Sequence, residues 1–575
     1  MIISVIAVAA VTVCTMGIGL WGVRFARTTS DLYVASRAIS PWMNAAAVSG
    51  EYLSAASFLG IAGLEMQIGV PALWQAIGFA AGYLALLLFV AAPLRRFGSY
   101  TLPDFAEGRL ASRKLRNLAV VAVLTIDGFY LIPQLKGAGI AFSEVTGSRY
   151  WVGIVVVGVI VTLYVSLGGM RGVSYVQAFQ FWIKTVAIAV PAIVLLVYLG
   201  GLPNQAQLFG DQMPQAPASG LVVHLRRAET LNFAAATRYR FDNNRERARA
   251  GERVTIGPGR LSLPPHAVVP VRAGTPAQTG REWAKPVTPR GEGSPLYIYS
   301  LLLATFLGTM GLPHILVRFY TNPDGRAARR TTVRVLALLA GFYIFPAIYG
   351  ALGRTLASGL YVSGQTDSVV LRLPELAWPG MGGQILGAMT AAGAFAAFMS
   401  TSSGLLISIA GTVSFDVWRP GHGSYTIAAR RRRFRIVAAL GMLGPAAVAL
   451  VVGSVDISTM VGWAFALAAS TFCPLFVLGI WWSKLTSAGA AAGIVGGGVV
   501  AVGLIVAGLI ADTQGATSPL SAILTQPAIV TVPIAFSLMI AVSLLTTPPD
   551  DVAGQMLVLH APEDLGLESL EQARA

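Results

Sequence analysis

The chain has 575 residues, of which 55% are hydrophobic and only 12% are charged, and its mean hydropathy is +0.67. A soluble domain carries about 25% charged residues, so this composition excludes a water-soluble globule and indicates a chain dissolved mostly in lipid. The only two cysteines, Cys14 and Cys473, lie inside apolar runs, which excludes a disulfide scaffold. In a soluble protein, the formal net charge of +15 would raise the question of a nucleic-acid partner.

Apolar runs long enough to cross a bilayer recur along the whole chain. A helix needs roughly 20 mostly apolar residues to cross a hydrocarbon core of about 30 Å. The sequence therefore predicts an all-α polytopic membrane protein with about thirteen transmembrane helices. The predicted spans are 3–23, 41–66, 71–93, 117–143, 150–167, 176–200, 297–316, 331–353, 384–412, 434–453, 458–482, 486–511 and 526–546. The first span lacks the basic start of a signal peptide, so we expect it to be retained.

Positively charged residues predict how these spans are oriented. If the N-terminus lies outside, the basic clusters within 95–96, 326–330 and 430–433 fall in cytoplasmic loops. The short external loops then hold three basic residues, Arg149, Arg354 and Arg372. Because cytoplasmic loops carry an excess of Lys and Arg, we expect a plasma-membrane protein with its N-terminus outside and its C-terminus in the cytoplasm. The basic clusters abut helix ends and lack interleaved aromatic residues, so we expect no nucleic-acid partner.

One long loop and the C-terminal tail are not predicted to cross the membrane. Residues 201–296 hold 13 basic and 7 acidic residues, are rich in Pro and Gly, and contain no apolar run of span length. Long loops translocate largely regardless of their charge, so we expect an extracellular insertion. It would form either a small β-rich subdomain or a loosely ordered loop. The tail 547–575 is expected to be a cytoplasmic extension that is too short for a signalling domain.

Four ionisable side chains stand out inside the predicted spans, where a charge is costly unless it is paired or hydrated. Lys184 lies about two turns from the cytoplasmic end of its helix, so we expect its ammonium to snorkel to that end. Lys136 lies nearer the outer end, and it either snorkels there or attracts an anion. Glu51 either ligates or tunes a cation, or pairs with a neighbouring helix. The fourth is Asp127.

Asp127, Tyr130 and Gln134 form a polar stripe along one face of the fourth span, because they fall at i, i+3 and i+7. A polar face inside a membrane helix has to meet water, a ligand or other polar groups. We expect this stripe to face a cavity. The alternative is that it bridges neighbouring helices.

Two spans carry residues that interrupt a helix. They are the region 48–50 and the stretch 305–313, which packs two glycines and a proline into nine residues. Unwound backbone inside a membrane is tolerated only where it lines a cavity or binds something, and paired breaks in two inverted halves are typical of a transporter's central site. The plainer explanation is that Gly and Pro are common in membrane helices.

The ninth span contains the stretch 397–404, in which five hydroxyl-bearing or small residues follow one another over 400–404. Such hydroxyls often bond to a carbonyl one turn earlier. By analogy with other hard cations, Na⁺ takes about five or six oxygen ligands. Two adjacent hydroxyls and a carbonyl one turn earlier supply three of them, and a broken partner helix can supply two more carbonyls.

Four stretches have a distinctive sequence. They are GEYLSAASFLGI at 50–61, GGMRG at 168–172, GLPHILVRFY at 311–320 and STSSGLL at 400–406. Over nearly all of the chain apart from 201–296, the sequence resembles the sodium:solute symporter family, and within it the cation/acetate (monocarboxylate) symporters. The tail LVLHAPEDLGL also looks like the acetate branch.

The resemblance implies a leucine-transporter-type core of two inverted five-helix repeats. The implied parts are a leading helix 1–23, a first repeat 41–200, the insertion 201–296, a second repeat 297–482, two trailing helices 486–546 and the tail 547–575. It also implies Na⁺ ligands, which carry over as the hydroxyls of Ser400 and Thr401 and the carbonyls of Gly50, Leu53 and Ala397. The spacing to Asp416 matches the family. Two departures are Glu51, where the acetate branch usually has Asp, and Lys136, where we expect a neutral residue.

We therefore expect a secondary active symporter, not an enzyme, that couples Na⁺ entry to uptake of a small monocarboxylate by alternating access. Acetate is the first candidate, followed by propionate and pyruvate. The carboxylate is expected near mid-membrane, at half-helix ends and polar side chains. The expected substrate residues are Ser54, Ser57, Tyr130, Gln134 and Thr309, and the coupling candidates are Glu51, Asp127 and Lys136.

Three alternatives stay open at the level of sequence. Proton coupling through Glu51 or Asp127 would replace Na⁺, and another small solute such as proline would replace the monocarboxylate. A channel or a membrane sensor is disfavoured, because the sequence shows neither pore-lining charge rings nor an attached output domain. The oligomeric state is not predicted.

Overall fold

The structure is a computed structural model that describes residues 2–22, 24, 31, 34–37, 39–242, 244–289, 291–417, 427–452, 455–513 and 521–561. The described chain is mostly helical, as the sequence predicts. Before the insertion lie α1 (Ile2–Gly22), α2 (Pro41–Tyr52), α3 (Ile61–Ile68), α4 (Leu73–Phe89), α5 (Ala91–Phe97), α6 (Leu102–Leu110), α7 (Arg113–Thr146) and α8 (Tyr150–Tyr198).

The insertion contributes two short helices, and the remaining helices follow it. These are α9 (Gln205–Phe209), α10 (Gly280–Trp283), α11 (Pro295–Thr309), α12 (Pro313–Leu316), α13 (Gly325–Phe342), α14 (Ile344–Leu356), α15 (Gly359–Ser363), α16 (Val369–Ala377) and α17 (Met381–Thr412). The last group is α18 (Ile427–Gly441), α19 (Leu443–Val451), α20 (Ile457–Ala469), α21 (Phe472–Trp481), α22 (Ser487–Thr513), α23 (Ser521–Thr525), α24 (Ala528–Leu544) and α25 (Val552–His560).

Within the described residues, ten helical segments are long and apolar enough to cross a membrane, and one bent pair makes eleven. One of the ten is α8, whose 49 residues are about twice what a single crossing needs. Gly169 breaks its helical path with a φ of 57° and a ψ of −166°. The apolar helix α24 is shorter than the ten. The chain is thus a multi-pass membrane protein, while the count of thirteen stays a prediction.

Two spans are broken inside the helical bundle. The first is bent by 66° between Pro41–Tyr52 and Ala56–Ile68, the latter opening with a π-helical turn over Ala56–Gly60. The second breaks between α11 and α12. The predicted break at 305–313 is confirmed, whereas the predicted break at 48–50 is wrong by about one turn, because α2 keeps its helical hydrogen bonds as far as Tyr52.

The helix α17 forms the centre of the bundle. Its most apolar 18-residue stretch is entirely buried inside the protein, unlike the half-buried spans around it. It packs most extensively against α8 and also contacts α7, α1 and α2. A helix surrounded by protein can carry polar side chains without exposing them to lipid. This position explains why the hydroxyl-rich run 397–404 is tolerated in α17.

Of the two alternatives for 201–296, the structure shows the β-rich one. Its strands are β1 (Leu221–Leu225), β2 (Glu229–Phe233), β3 (Thr237–Phe241), β4 (Asn244–Ala248), β5 (Glu252–Ile256), β6 (Gly259–Leu263) and β7 (Val271–Arg272). They form two antiparallel sheets with the orders β1-β6-β3-β4 and β5-β2-β7. Strands β2 and β3 alternate between buried and more exposed residues, which is the pattern of a sheet with one covered face.

Hydrogen bonds hold the insertion to the helices. The indole of Trp283 donates to the carbonyl of Glu65 in α3 over 2.8 Å. The guanidinium of Arg354 in α14 donates to the carbonyls of Gln207 and Gln278, both over 2.7 Å. The insertion is therefore fixed to the membrane bundle at more than one point.

Candidate functional site

The structure brings the hydroxyl run of α17 against the broken end of α2. The hydroxyl of Thr401 donates to the carbonyl of Glu51 over 2.5 Å, across 350 residues of sequence. The hydroxyl of Ser400 donates to the carbonyl of Ala397, one turn earlier, over 2.9 Å. Gly50, Leu53 and these α17 residues are all buried. The two segments that the resemblance pairs thus meet inside the protein.

The carbonyls at the end of α2 find partners from three directions. The last carbonyls of a helix have no partner within that helix and must be satisfied by other groups. The carbonyl of Ser49 accepts from the backbone N–H of Leu53 over 3.0 Å, and that of Glu51 accepts from Thr401. The carbonyl of Gly50 accepts from the ammonium of Lys184. The end of α2 is therefore a cluster of oxygens that bind donors.

Lys184 reaches into the centre of this cluster from α8. Its ammonium also donates to the carbonyl of Leu53 over 2.6 Å and to the hydroxyl of Ser400 over 2.8 Å, and the residue is 0% exposed. The prediction that Lys184 snorkels to the cytoplasmic end is therefore wrong. The physical reason is that three acceptors on neighbouring helices satisfy the ammonium where it lies, so it gains nothing by extending along its own helix.

Carbonyl and hydroxyl oxygens are the atom types expected of a Na⁺ site, but the Lys184 ammonium already occupies the space among three of them. The Lys184 ammonium binds Gly50, Leu53 and Ser400, three of the five residues expected to ligate Na⁺. An ion placed within ligating distance of the same three oxygens would overlap the ammonium nitrogen. In this conformation the residues do not fit a Na⁺ ion, and the assignment of Gly50, Leu53, Ala397, Ser400 and Thr401 as sodium ligands stays a prediction.

Close packing holds α2 against α8 and α17 at this point. A Cβ placed on Gly50 would lie 2.3 Å from the carbonyl oxygen of Gln177 in α8. A Cβ placed on Gly404 in α17 would lie 1.8 Å from Oε1 of Glu51. Real Cβ contacts are never this short, so both positions need glycine. The two glycines allow the three helices to approach closely enough to share the oxygen cluster.

Glu51 pairs with an arginine instead of standing alone. The guanidinium of Arg318 donates from Nε to Glu51 Oε2 over 2.6 Å, from Nη1 to Ser174 Oγ over 2.8 Å, and from Nη2 to Gln177 Oε1. Glu51 and Arg318 are both fully buried. Of the two roles considered for Glu51, the structure shows the pairing with another segment. Arg318 falls outside the predicted spans, between 297–316 and 331–353, because hydropathy alone does not show that a polar segment is buried inside the protein.

Asp127 pairs with a histidine in the second broken span. The imidazole Nδ1 of His314 lies 3.0 Å from Asp127 Oδ1, with both side chains fully buried. The amide oxygen of Gln134 accepts the backbone N–H of Ala55 over 2.8 Å, at the first break. The polar stripe therefore bridges α7 to both broken spans, which is the alternative to the expected cavity-facing role. Its residues are packed against protein groups on neighbouring segments.

The expected substrate residues collect around aromatic side chains. The hydroxyl of Thr309 lies 2.9 Å from the hydroxyl of Tyr52, and the hydroxyl of Ser57 lies 3.0 Å from that of Tyr343. The ring of Phe465 contacts Tyr52, Phe79 and Tyr130, with centroids 6.0, 4.7 and 5.8 Å away. Ser54 lies in the break and caps the backbone N–H of Ala56 over 3.2 Å. The sequence reasoning missed these aromatic neighbours, since single aromatic residues give no distinct signal in an apolar span.

Lys136 lies apart from this group and has its own partners. Its ammonium lies 3.3 Å from Asp367 Oδ2 and also donates to the carbonyl of Val455. It is buried, so neither snorkelling nor a free cation describes it. Burial raises the pKa of the Asp367 carboxyl above its ordinary value, and the nearby Lys136 ammonium partly offsets the rise.

In the described part of the chain, no group of three or more His, Cys, Asp and Glu side chains is placed to hold a metal ion. The oxygen cluster at α2 is built from carbonyls and hydroxyls, which is a different kind of site. Two carboxylate oxygens, Glu51 Oε1 and Asp127 Oδ2, are buried without a hydrogen-bond partner among the described residues.

Comparisons with known proteins agree with this architecture. An uncharacterized symporter of Bacillus subtilis, YwcA, is 29% identical over 533 residues, covering 91% of this chain and 90% of that protein. A protein of Corynebacterium glutamicum named monocarboxylic acid transporter is 29% identical over 547 residues, covering 92% and 89%.

A solved structure shares the fold. The outward-open, substrate-bound structure of a Na⁺-coupled sialic acid symporter superposes with a TM-score of 0.61 at 14% identity, covering 95% of this chain and 98% of the other. This likeness confirms the leucine-transporter-type fold. The family described as sodium:solute symporter matches residues 32–497. The chain therefore belongs to the sodium:solute symporter family.

Proposed function

We propose that this protein is a secondary active symporter that takes up a small monocarboxylate, acetate first, by alternating access. The observation that carries the proposal is the contact between Tyr52 and Thr309, which joins the bent span 41–68 to the end of α11, where the helix is interrupted before α12. Paired breaks of this kind supply half-helix ends and free backbone groups for a solute. The relative named monocarboxylic acid transporter supports the substrate class, because it matches 92% of the chain.

The two helix breaks support the proposed substrate residues. Ser54 and Ser57 lie at and just after the first break, where the start of the segment Ala56–Ile68 carries partial positive charge. Thr309 lies at the second break, and Tyr130 and Gln134 lie on the facing helix α7. The aromatic rings around them favour a small solute with a short apolar part. A two-carbon or three-carbon acid has this shape.

The family supports Na⁺ as the coupled cation, as does the fold shared with a Na⁺-coupled sialic acid symporter. A second candidate is H⁺, favoured by two observations in this chain. The Lys184 ammonium binds three of the five oxygens expected to ligate Na⁺. Among the described residues, Asp127 keeps a buried carboxylate oxygen without a hydrogen-bond partner, on the side chain that contacts His314. One acetate carried with one cation moves no net charge, so membrane potential alone would not drive it.

The proposed setting is the plasma membrane, with the N-terminus outside and the C-terminus in the cytoplasm. We also propose 41–200 and 297–482 as the two inverted repeats, with 201–296 as the extracellular insertion between them. The concentration of Arg in the loops assigned to the cytoplasm supports this orientation.

Uptake of radiolabelled acetate into proteoliposomes tests the proposal. We expect saturable acetate uptake. Propionate and pyruvate should inhibit it by competition, whereas proline and sugars should not. Imposing a Na⁺ gradient at fixed pH, or a pH gradient without Na⁺, separates the two coupling cations. Absence of acetate uptake together with saturable uptake of proline would refute the substrate class.

A matched pair of variants tests the placement of the solute. Ser57→Ala removes a buried hydroxyl at the first break, whereas Ser521→Ala removes an exposed hydroxyl far along the chain. Loss of a hydrogen bond to a charged group costs about 1.5–3 kcal/mol, so we expect the KM for acetate to rise by roughly tenfold to a hundredfold in Ser57→Ala. Equal KM values for the two variants would contradict the proposed role of Ser57.

A further inference from the structure

A covalently attached cation lies where the family resemblance places a free one. The ammonium of Lys184 has three N–H donors, and the structure gives it three acceptors: the carbonyls of Gly50 and Leu53 and the hydroxyl of Ser400. These acceptors come from the two segments that a sodium ion would join. The lysine comes from a third helix, α8, and is fully buried.

The ammonium makes the same kind of contact that an ion would make. It is a compact positive charge bound only to oxygens, and it bridges the end of α2 to the hydroxyl run of α17. The carboxylate next to the cluster, Glu51, is already paired with Arg318. A sodium ion added beside Lys184 would therefore bring a further positive charge into a buried cluster whose adjacent carboxylate is already neutralised. Burial makes such a charge costly.

We infer that the Lys184 ammonium is the resident cation of this site and that Na⁺ does not bind there. The inference concerns the coupling ion, so it rests on the proposed symport function. A tethered ammonium cannot cross the membrane with the solute. Any ion that accompanies the solute must therefore bind at other groups, and this oxygen cluster holds α2 to α17 without ion exchange.

The oxygens that bind the Lys184 ammonium indicate what a substitution of Lys184 would do. Without the ammonium, the carbonyls of Gly50 and Leu53 and the hydroxyl of Ser400 remain around the vacated position, and the Ala397 carbonyl lies 2.9 Å from that hydroxyl. This is a set of uncharged oxygens, suited to a hard monovalent cation. Lys184→Gln should therefore create a Na⁺ site that the unaltered protein lacks.

Binding of ²²Na⁺ to the purified full-length protein in nanodiscs, without any carboxylate present, tests the inference. In the unaltered protein we expect no Na⁺ binding that depends on Ser400, so Ser400→Ala should leave its Na⁺ binding unchanged. Lys184→Gln should gain saturable Na⁺ binding, and adding Ser400→Ala should remove it. Lys136→Gln is the matched control, because it deletes another buried lysine outside the cluster and should gain no such site.

Two results would overturn the inference. The first is Na⁺ binding in the unaltered protein that Ser400→Ala or Thr401→Ala abolishes. The second is a folded Lys184→Gln variant that gains no Na⁺ binding. If Lys184→Gln does not fold, the comparison of the unaltered protein with Ser400→Ala decides the question alone. Because the assay contains no solute, a failure of the proposed acetate transport would leave its outcome unchanged and is seen separately in the uptake experiment.

Discussion

The buried pair between Arg318 and Glu51 allows a quantitative test of the structure. Arg318→Met removes a guanidinium that is bound to Glu51, Ser174 and Gln177, and leaves the carboxylate of Glu51 buried without its partner. Removing one member of a buried pair costs about 3–5 kcal/mol. At about 1.4 kcal/mol per factor of ten, this raises the unfolded-to-folded ratio by roughly a hundredfold to several thousandfold.

The assay is reversible unfolding in mixed detergent micelles, with Arg372→Met as the matched control. Arg372 makes a two-pronged pair with Glu144 at 2.7 and 2.8 Å, but its side chain is 38% exposed. Exposed pairs contribute about 0–1 kcal/mol, so we expect the control to unfold almost as the unaltered protein does.

The double variant Glu51→Gln with Arg318→Met separates the loss of the pair from the burial of a lone charge. Removing both charges should destabilise the protein less than the sum of the two single changes. The reasoning would be refuted if Arg318→Met and Arg372→Met lowered the free energy of unfolding equally. It would also be refuted if the loss in the double variant equalled the sum of the two single losses.

Two further changes follow from close contacts in the structure. Gly404→Ala should lower the free energy of unfolding by about 1–3 kcal/mol, because the added Cβ overpacks against Glu51. Gly503→Ala is the control and should leave stability unchanged, because its Cβ would meet nothing within 4 Å. The yield of folded protein in gel filtration compares the two variants. Similar yields would show that α17 and α2 are less closely packed than described. His314→Ala leaves Asp127 buried without its partner, so we expect acetate uptake per folded protein to fall at least tenfold, and uptake near the normal rate would show that this pair is dispensable.

The sequence predicted those features that depend on composition within one segment. The apolar runs located the spans, because lipid selects for length and hydropathy regardless of neighbours. The second break was predictable because two glycines and a proline fall within nine residues. The first break lies one turn after the predicted site, since the end of α2 is fixed by groups on α8 and α17 that its own sequence does not show.

The sequence did not predict features that depend on how neighbouring helices face one another. Lys184 was expected to extend along its own helix, and nothing in α8 alone reveals the acceptors on α2 and α17. Arg318 was assigned to a loop by hydropathy, and its burial depends on how the chain folds after α12. A stripe of polar residues such as the one on α7 indicates that partners exist, but it does not distinguish a cavity from a protein contact.

The anchoring of the insertion links an exposed part of the protein to elements that are otherwise buried. Trp283 is bonded to α3, the second half of the first broken span, and Arg354 extends from α14, which packs against α3. A displacement of this helix pair would therefore be transmitted to the β-rich subdomain attached to it. A fluorophore on an exposed strand such as β4 would report the movement of the broken span without altering any residue in the membrane.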